Sequence, residues 1–424
     1  MRKRVRFLVV IIMIISFIPT VHAETNPDYE INVIELDYES YNFNGFSEGL
    51  AAVRKSDKWG FIDKSGKEVI KFSDYDQVGD FNDGLAGVWK NKKWGFIDKT
   101  GKEVIVPQYE AYKKVNDESF IRVKMNNKWG YIDKTGYEVV TPQYDEITDI
   151  TIGGSESLRA AYLNRVKKDG KWGYIDKTGY EVIPPQYDDA RFFSNGYSVV
   201  RKDDSWLLID NVGNEIMELP LYDDYRNFNE DRLAFQKDEK WGYLDGLGKE
   251  VIKPQYDVAD DFEGGIARVV KGPGQIGFID KSNHVVIKLQ HANITDNSEG
   301  IVALFTYTTM GLFNTKEPEK KVVMVPYKGL GGDMHDGLII VVKDNKRGLI
   351  NREGIEIIPP QYDGFWEFSD GLARVQKDNK YGLVDKTGNE VVELKYDRVT
   401  PFHEGVAFAR EGKKMYLINI NFLN

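Results

Sequence analysis

From residue 46 the chain reads FSEGLAAVRK, then KWGFIDK, then KEVI. Apolar residues come in pieces of four to seven, rich in aromatic and β-branched side chains. Gly, Asp, Asn and Ser break the pattern every 8–12 residues. That rhythm predicts short β-strands joined by tight turns. Beyond residue 23 no stretch sustains the 3.6-residue period of an amphipathic helix. Each unit therefore reads as three strands, the third followed in many copies by Pro-Gln-Tyr-Asp.

The pattern repeats along the chain, and fixed-period self-similarity decides architecture before any local detail. Trp59, Trp94, Trp129, Trp172, Trp206 and Trp241 mark six units. Ile276, Met310, Arg347, Tyr381 and Met415 hold the same place in five more. About eleven units of 34–35 residues fill positions 24–424, with irregular stretches at 147–164 and 305–333. The expected fold is all-β: a tandem array of three-stranded antiparallel units, extended or superhelical like a solenoid. Propeller-like closure is the alternative; propellers usually have four to eight blades of four strands.

The turn between the second and third strands reads Asp-Lys-Ser/Thr-Gly. Asp63, Asp98, Asp133 and Asp176 open it, and Gly66, Gly101, Gly136 and Gly179 close it. In the other units the first place is Asp or Asn: Asp210, Asp245, Asp280, Asn314, Asn351, Asp385 and Asn419. An Asx side chain accepts backbone hydrogen bonds whether or not it is charged. A metal ligand or catalytic acid would not exchange with Asn so freely, so the pattern is structural. The final Gly suits a left-handed backbone.

The six register tryptophans, with Tyr381, are expected in the repeat core. Burying one removes about 150–250 Å² from water. Stacked aromatics that bind sugar rings are the competing use. Trp89 and Trp366 lie outside the register and are expected as surface contacts. Gly follows the marker in nine units, which implies close approach by a neighbour; Leu207 and Tyr416 break that rule. The Tyr of Pro-Gln-Tyr-Asp suits a unit boundary, and its Pro is expected to end the third strand.

Composition adds two constraints. There is no cysteine, which excludes disulfides, thiolate chemistry and cysteine metal sites. The first 23 residues differ from the rest. Arg2, Lys3, Arg4 and Arg6 precede an apolar run at 7–18, and Val21-His22-Ala23 resembles a signal-peptidase site. Residues 1–23 thus read as a signal peptide cleaved after Ala23; an uncleaved anchor is the only membrane attachment the sequence offers. Removal of four basic residues takes the net charge from −10 to −14. Such an acidic chain argues against nucleic acid as a partner.

Residues that could carry chemistry are few. His284, His291, His335 and His403 are one-off residues at variable repeat positions, without metal-ligand spacing. Gly272 to Gly277 match G-x-G-x-x-G, but in a hairpin turn rather than before a helix. Carboxylates such as Glu68, Glu103, Glu138 and Glu181 recur with the unit, which assigns them to turns and solvated strand faces. Weak cation binding along such an edge stays open.

Trp59-Gly60, Phe61-Ile62-Asp63 and Gly66, with the Glu-Gly-Leu-Ala element, resemble the bacterial WG-repeat family, also called KWG repeats. The resemblance covers nearly the whole chain after residue 23; units five, seven, eight, nine and eleven depart from the pattern. It implies a β-rich repeat used for interaction or scaffolding, often on exported proteins, and supplies no catalytic residues or cofactors. The expected function is a non-enzymatic exported binding or scaffold protein at the cell surface, holding an envelope or secreted protein or cell-wall glycan. A wall-polysaccharide hydrolase with its site in an irregular unit, or a passive self-assembling coat protein, are the alternatives.

Overall fold

The computed structural model describes residues 21–26, 29–42, 44–114, 120–148, 163–291, 293–295, 301–305, 310–314, 322–327, 329–330 and 336–423. Among them the regular structure is β-strand throughout, arranged as eleven antiparallel sheets. The sheet count matches the units read from the sequence, but the strand count does not. Ten sheets have four strands and one has five. The added strand comes first in each unit, in most of them just after a Tyr-Asp pair, as in Asp189–Ala190 or Gly364–Ser369. In several units it is only two residues long, too short to leave a hydrophobic pattern.

The sheet of the fourth unit shows the common design. Glu146–Ile147, Asn164–Lys168, Lys171–Ile175 and Glu181–Tyr187 run up and down in chain order. Two-residue turns join the second and third strands. Both turn residues have positive φ, as at Asn126 and Asn127 (49° and 63°) or Asp378 and Asn379 (52° and 62°). Two left-handed residues in succession twist a hairpin the way its strands twist, which is why Asn and Asp fill these places.

One sheet cannot bury its own face, and the next sheet buries it instead. Trp172, Tyr174 and Ile183 of the fourth unit pack with Ala190, Phe193, Val200, Leu207 and Ile209 of the fifth. Trp241, Tyr243, Ile252 and Tyr256 pack in the same way with Ala259, Phe262, Val269 and Ile279 of the following sheet.

The chain divides into two compact units. Residues 109–326 form one, and residues 1–108 with 327–424 form the other. In the second of these the two ends of the chain share a sheet. Tyr29–Leu36 pairs along its whole length with the strand Lys414–Phe422. One face of that shared sheet packs Ile31, Ile418 and Ile420 with Leu372, Leu383 and Val392. The other packs Phe408 and Leu417 with Phe46, Val53 and Ile62. The expected open array of three-stranded units is therefore corrected: the sheets have four strands and the terminal strands pair, as in propeller-like closure. Asn419 accordingly lies within a strand, opposite Asn32, and not in a turn.

Candidate binding cleft

The recurring polar residues are engaged in folding. In the turns, Asp176 Oδ1 accepts from the amides of Thr178 (2.8 Å) and Tyr180 (3.0 Å) and from the Thr178 hydroxyl (2.6 Å). Asp63, Asp98 and Asp133 repeat the arrangement, and Asn351 keeps its amide bonds without a charge. Gly66, Gly101, Gly136 and Gly179 have φ of 81° to 88°. Burial pushes the Asp176 carboxyl up, but the Thr178 hydroxyl and the turn amides outweigh it and hold the carboxyl below its ordinary range.

Two ion-pair series were not legible in the sequence. The Lys before the marker Trp reaches the Asp of Pro-Gln-Tyr-Asp in its own sheet, as in Lys128–Asp145 and Lys171–Asp188 (both 2.5 Å). The only available signal was a constant separation of 17 residues. The Lys of the Asp-Lys-Thr-Gly turn reaches back to the preceding sheet, as Lys99 does to Glu48 (2.9 Å) and Lys281 to Glu230 (3.1 Å). Those glutamates also cap the next sheet's turn: Glu230 accepts from the amides of Gly264 (2.7 Å) and Gly265 (3.0 Å). Glu404 does the same for the amides of Glu48 and Gly49, which ties the last sheet to the first.

The marker tryptophans divide by burial. Trp172, Trp206 and Trp241 are buried, while Trp59, Trp94, Trp129 and Tyr381 are half-buried. Their ring faces are not open platforms. Arg165 lies 4.2 Å from the centre of Trp172, Arg226 5.0 Å from Trp241, and Arg122 5.2 Å from Trp129. Two of these arginines also bind the next sheet: Arg122 donates to the Ile147 carbonyl (2.6 Å) and Arg165 to that of Ala190.

The Gly after the marker has a definite reason. The fourth strand bulges over it, so a Cβ on Gly95 or Gly173 would lie 2.5 Å from the carbonyl oxygen of Ile105 or Ile183. The Pro of Pro-Gln-Tyr-Asp sits in that bulge, inside a strand that runs on to the Tyr; it does not end the strand. Leu207 and Tyr416 escape the rule because their neighbouring strands pair directly, Leu207 with Glu218 and Tyr416 with Glu35. The Tyr faces the marker across the sheet, as Tyr144 does Trp129. Its hydroxyl donates to a Glu of the next sheet: Tyr144 to Glu181 (2.6 Å) and Tyr75 to Glu103 (2.9 Å). Burial, reinforced by Glu103, pushes Tyr75 up to about 12.

His284 is exposed beside Asp280, and His403 stands 3.9 Å from Asp370. His291 ends the strand Val285–His291, and His335 lies outside the described residues. So do residues 1–20, holding most of the expected signal, and much of both irregular stretches. The Gly272–Gly277 stretch joins two strands, and no helix follows it. Among the described residues no cluster of three or more His, Asp or Glu could hold a metal.

A cleft of about 480 Å³ opens in the compact unit that carries both chain ends. Ile340, Phe365, Phe368, Leu372 and Phe402 supply its apolar lining. Trp366 stands in it, 36% exposed. The register of Gly364–Ser369 slips between Phe365 and Phe368, so Trp366 and Glu367 bulge from the ladder. Gly364 makes room for the indole, because a Cβ there would meet Trp366 Cζ3 at 2.6 Å. Arg374 lies 4.2 Å from the indole centre and donates to the Val399 carbonyl (3.0 Å). A second surface feature is a row of apolar turn tips. Tyr137, Tyr180, Val212 and Leu247 are 62–86% exposed in four consecutive sheets.

The repeat model described as "WG containing repeat" matches residues 30–59, 59–94, 94–129, 129–172, 172–206, 208–241, 241–272, 348–381 and 381–414. The chain belongs to this family. No curated protein matches it. Among solved structures, a eukaryotic initiation factor aligns over 78% of this chain and 92% of its own, at 11% identity and TM-score 0.37. BamB from Moraxella catarrhalis aligns over 65% and 93%, at 10% identity and TM-score 0.30. Hsv2p from Kluyveromyces lactis aligns over 74% and 99%, at 10% identity and TM-score 0.28. At such scores none bears on function.

Proposed function

We propose that this WG-repeat protein is a non-enzymatic binding or scaffold protein, exported after cleavage at Ala23, that holds an envelope protein or cell-wall polymer. One observation carries the reading. The polar residues that recur with the unit are engaged in turns, ion pairs and sheet-to-sheet ties, while an aromatic cleft and a row of apolar turn tips face outward. Exposed apolar surface of this kind is characteristic of contact sites. The basic start and the apolar run before Ala23 support export. Exported protein is expected to have an intact mass beginning at Glu24; retention of residues 1–23 would leave it anchored. Co-sedimentation with isolated sacculi at low and high salt tests the function. Salt-resistant binding assigns the wall polymer, and absence of binding assigns a protein partner, to be captured from the exported fraction. Glycan turnover abolished by a carboxylate substitution would overturn the reading in favour of a hydrolase.

A further inference from the structure

The eleventh sheet keeps an outer edge that the other sheets give up. Elsewhere the fourth strand slips in register against the third. It often carries a proline as well, as at Pro107, Pro142, Pro254 and Pro360. Where it runs straight, at Val323–Val325, it is only three residues long. Bulges, prolines and short length all discourage a further strand. Tyr29–Leu36 has none of these guards. It fills the fourth place in the eleventh sheet, eight residues long and without proline, and pairs residue for residue with Met415 to Phe422. Among the described residues it alone carries a further strand. Val21–Asn26 lies antiparallel on its outer side, with Val21 opposite Ile34 and Asn26 opposite Tyr29.

Cleavage after Ala23 cuts that outer strand in two. Glu24, Thr25 and Asn26 stay opposite Ile31, Glu30 and Tyr29. Asn32, Val33 and Ile34 lose their partners, and among the described residues nothing pairs with Glu35 or Leu36 on that side. Resting on the export reading above, we propose that this freed edge, Asn32 to Leu36, binds the carboxyl-terminal segment of a partner polypeptide as an added antiparallel strand. Direction and charge both select that occupant. A strand running as the departed leader ran points its end at Glu24. Residues 24–26 hold the row ahead, so a chain that continued would have to turn away, while one that ends there fits in line. Its carboxylate then meets the new ammonium of Glu24; a strand of the opposite direction sets ammonium against ammonium. Main-chain hydrogen bonds give such added strands affinity, and their side chains give selectivity. The last residue lies opposite Asn32 and the two before it opposite Val33 and Ile34. Val33 packs with the cluster of Leu372 and Leu383, and Ile34 with that of Phe46 and Phe408. Apolar β-branched residues therefore suit the second and third places from the partner's end. Glu35 is held by Lys414 at 3.0 Å and asks for no charge. A second copy laid antiparallel along the whole strand would set Glu30 opposite Glu35, a like-charge pair.

The test is fluorescence anisotropy with the peptide Ser-Thr-Thr-Val-Val-Ala, carrying fluorescein on its amino end and a free terminal carboxyl. The protein beginning at Glu24 is expected to bind it saturably. The same peptide as its terminal amide is expected to bind roughly tenfold more weakly, since the charge pair is lost. The free acid should also lose roughly tenfold against the protein beginning at Pro19, in which the outer strand is whole and fills the edge. No binding by the form beginning at Glu24 would overturn the proposal. So would equal binding by the two protein forms, or equal binding of acid and amide. Self-association of the form beginning at Glu24, absent from the longer form, would overturn it in favour of a second copy. An exported protein that retains residues 1–23 would fail the export reading alone, and peptide binding by the form beginning at Glu24 would still support the site.

Discussion

Gly173 and Gly60 occupy the same place in the repeat but face different neighbours. A Cβ on Gly173 would meet Ile183 O and Pro185 N, both backbone, at 2.5 Å. On Gly60 it would meet Ile70 O at 2.9 Å and the Phe72 ring at 3.1 Å, and a ring can tilt. Overpacking a tight site costs roughly 1–3 kcal/mol. Gly173→Ala should fall at the upper end of that range and Gly60→Ala at the lower, measured by denaturant unfolding; equal losses would contradict the bulge explanation. The turn aspartates make a second prediction. Asp63, Asp98, Asp133, Asp176, Asp210, Asp280 and Asp385 are all held below the ordinary carboxyl range. A carboxyl with a lowered folded-state value stabilises fully above the ordinary value, about pH 4, and loses that contribution as pH falls through the lowered one. The melting temperature should therefore drop on acidification below about pH 4. Asp176→Asn should flatten that drop while changing neutral stability little, because Asn351 already performs the same role. The turns were legible because Asx acceptance and left-handed Gly are local physics. The need for close approach at Gly60 and its equivalents was legible too, but not its cause, since the bulging carbonyl belongs to another strand.

At the scale of elements, three of the four strands were legible and the first was not. A strand such as Asp189–Ala190 buries one residue, Ala190, and that carries no periodic signal. Nor could the sequence reveal the ties between sheets, because each joins residues in different repeats. The Tyr144–Glu181 bond is one of them. Tyr144 is fully buried and its hydroxyl donates to a carboxylate at 2.6 Å. Hydrogen bonds to charged groups contribute about 1.5–3 kcal/mol, and the partly solvated Glu181 places this one near the lower figure. Tyr144→Phe should lower the unfolding free energy by about 1–2 kcal/mol. Tyr180→Phe, at a 69% exposed turn tip, should leave it unchanged. The cleft was hidden for the same reason. Trp366 stood out as off-register, but Ile340, Phe365 and Phe402 come from three different units and meet only when the sheets stack.

At the scale of the chain, the pairing of Tyr29–Leu36 with Lys414–Phe422 joins segments at opposite ends of the sequence. No periodicity announces it, because the eleventh unit lacks its own third-to-fourth turn and a single continuous strand runs through Asn419 to Phe422. The borrowed strand matters energetically. Ile31 is buried in the cluster shared with Leu372 and Leu383, while Ile34 and Leu36 pack against the cluster of Phe46 and Phe408. Each fully buried side chain of this kind contributes about 1.5–3 kcal/mol. Deleting residues 24–36 would uncover both clusters and leave the long strand Lys414–Phe422 as an open edge, which invites pairing between molecules. The shortened protein should melt at a lower temperature and associate with rising concentration in size-exclusion chromatography. A synthetic peptide of residues 29–36 should restore the monomer when added in excess, because it supplies the same backbone partners and the same apolar face. A shortened chain that stays monomeric and melts like the parent would mean that the closing strand contributes nothing. The expected signal cleavage leaves this strand intact, since Ala23 lies six residues before Tyr29.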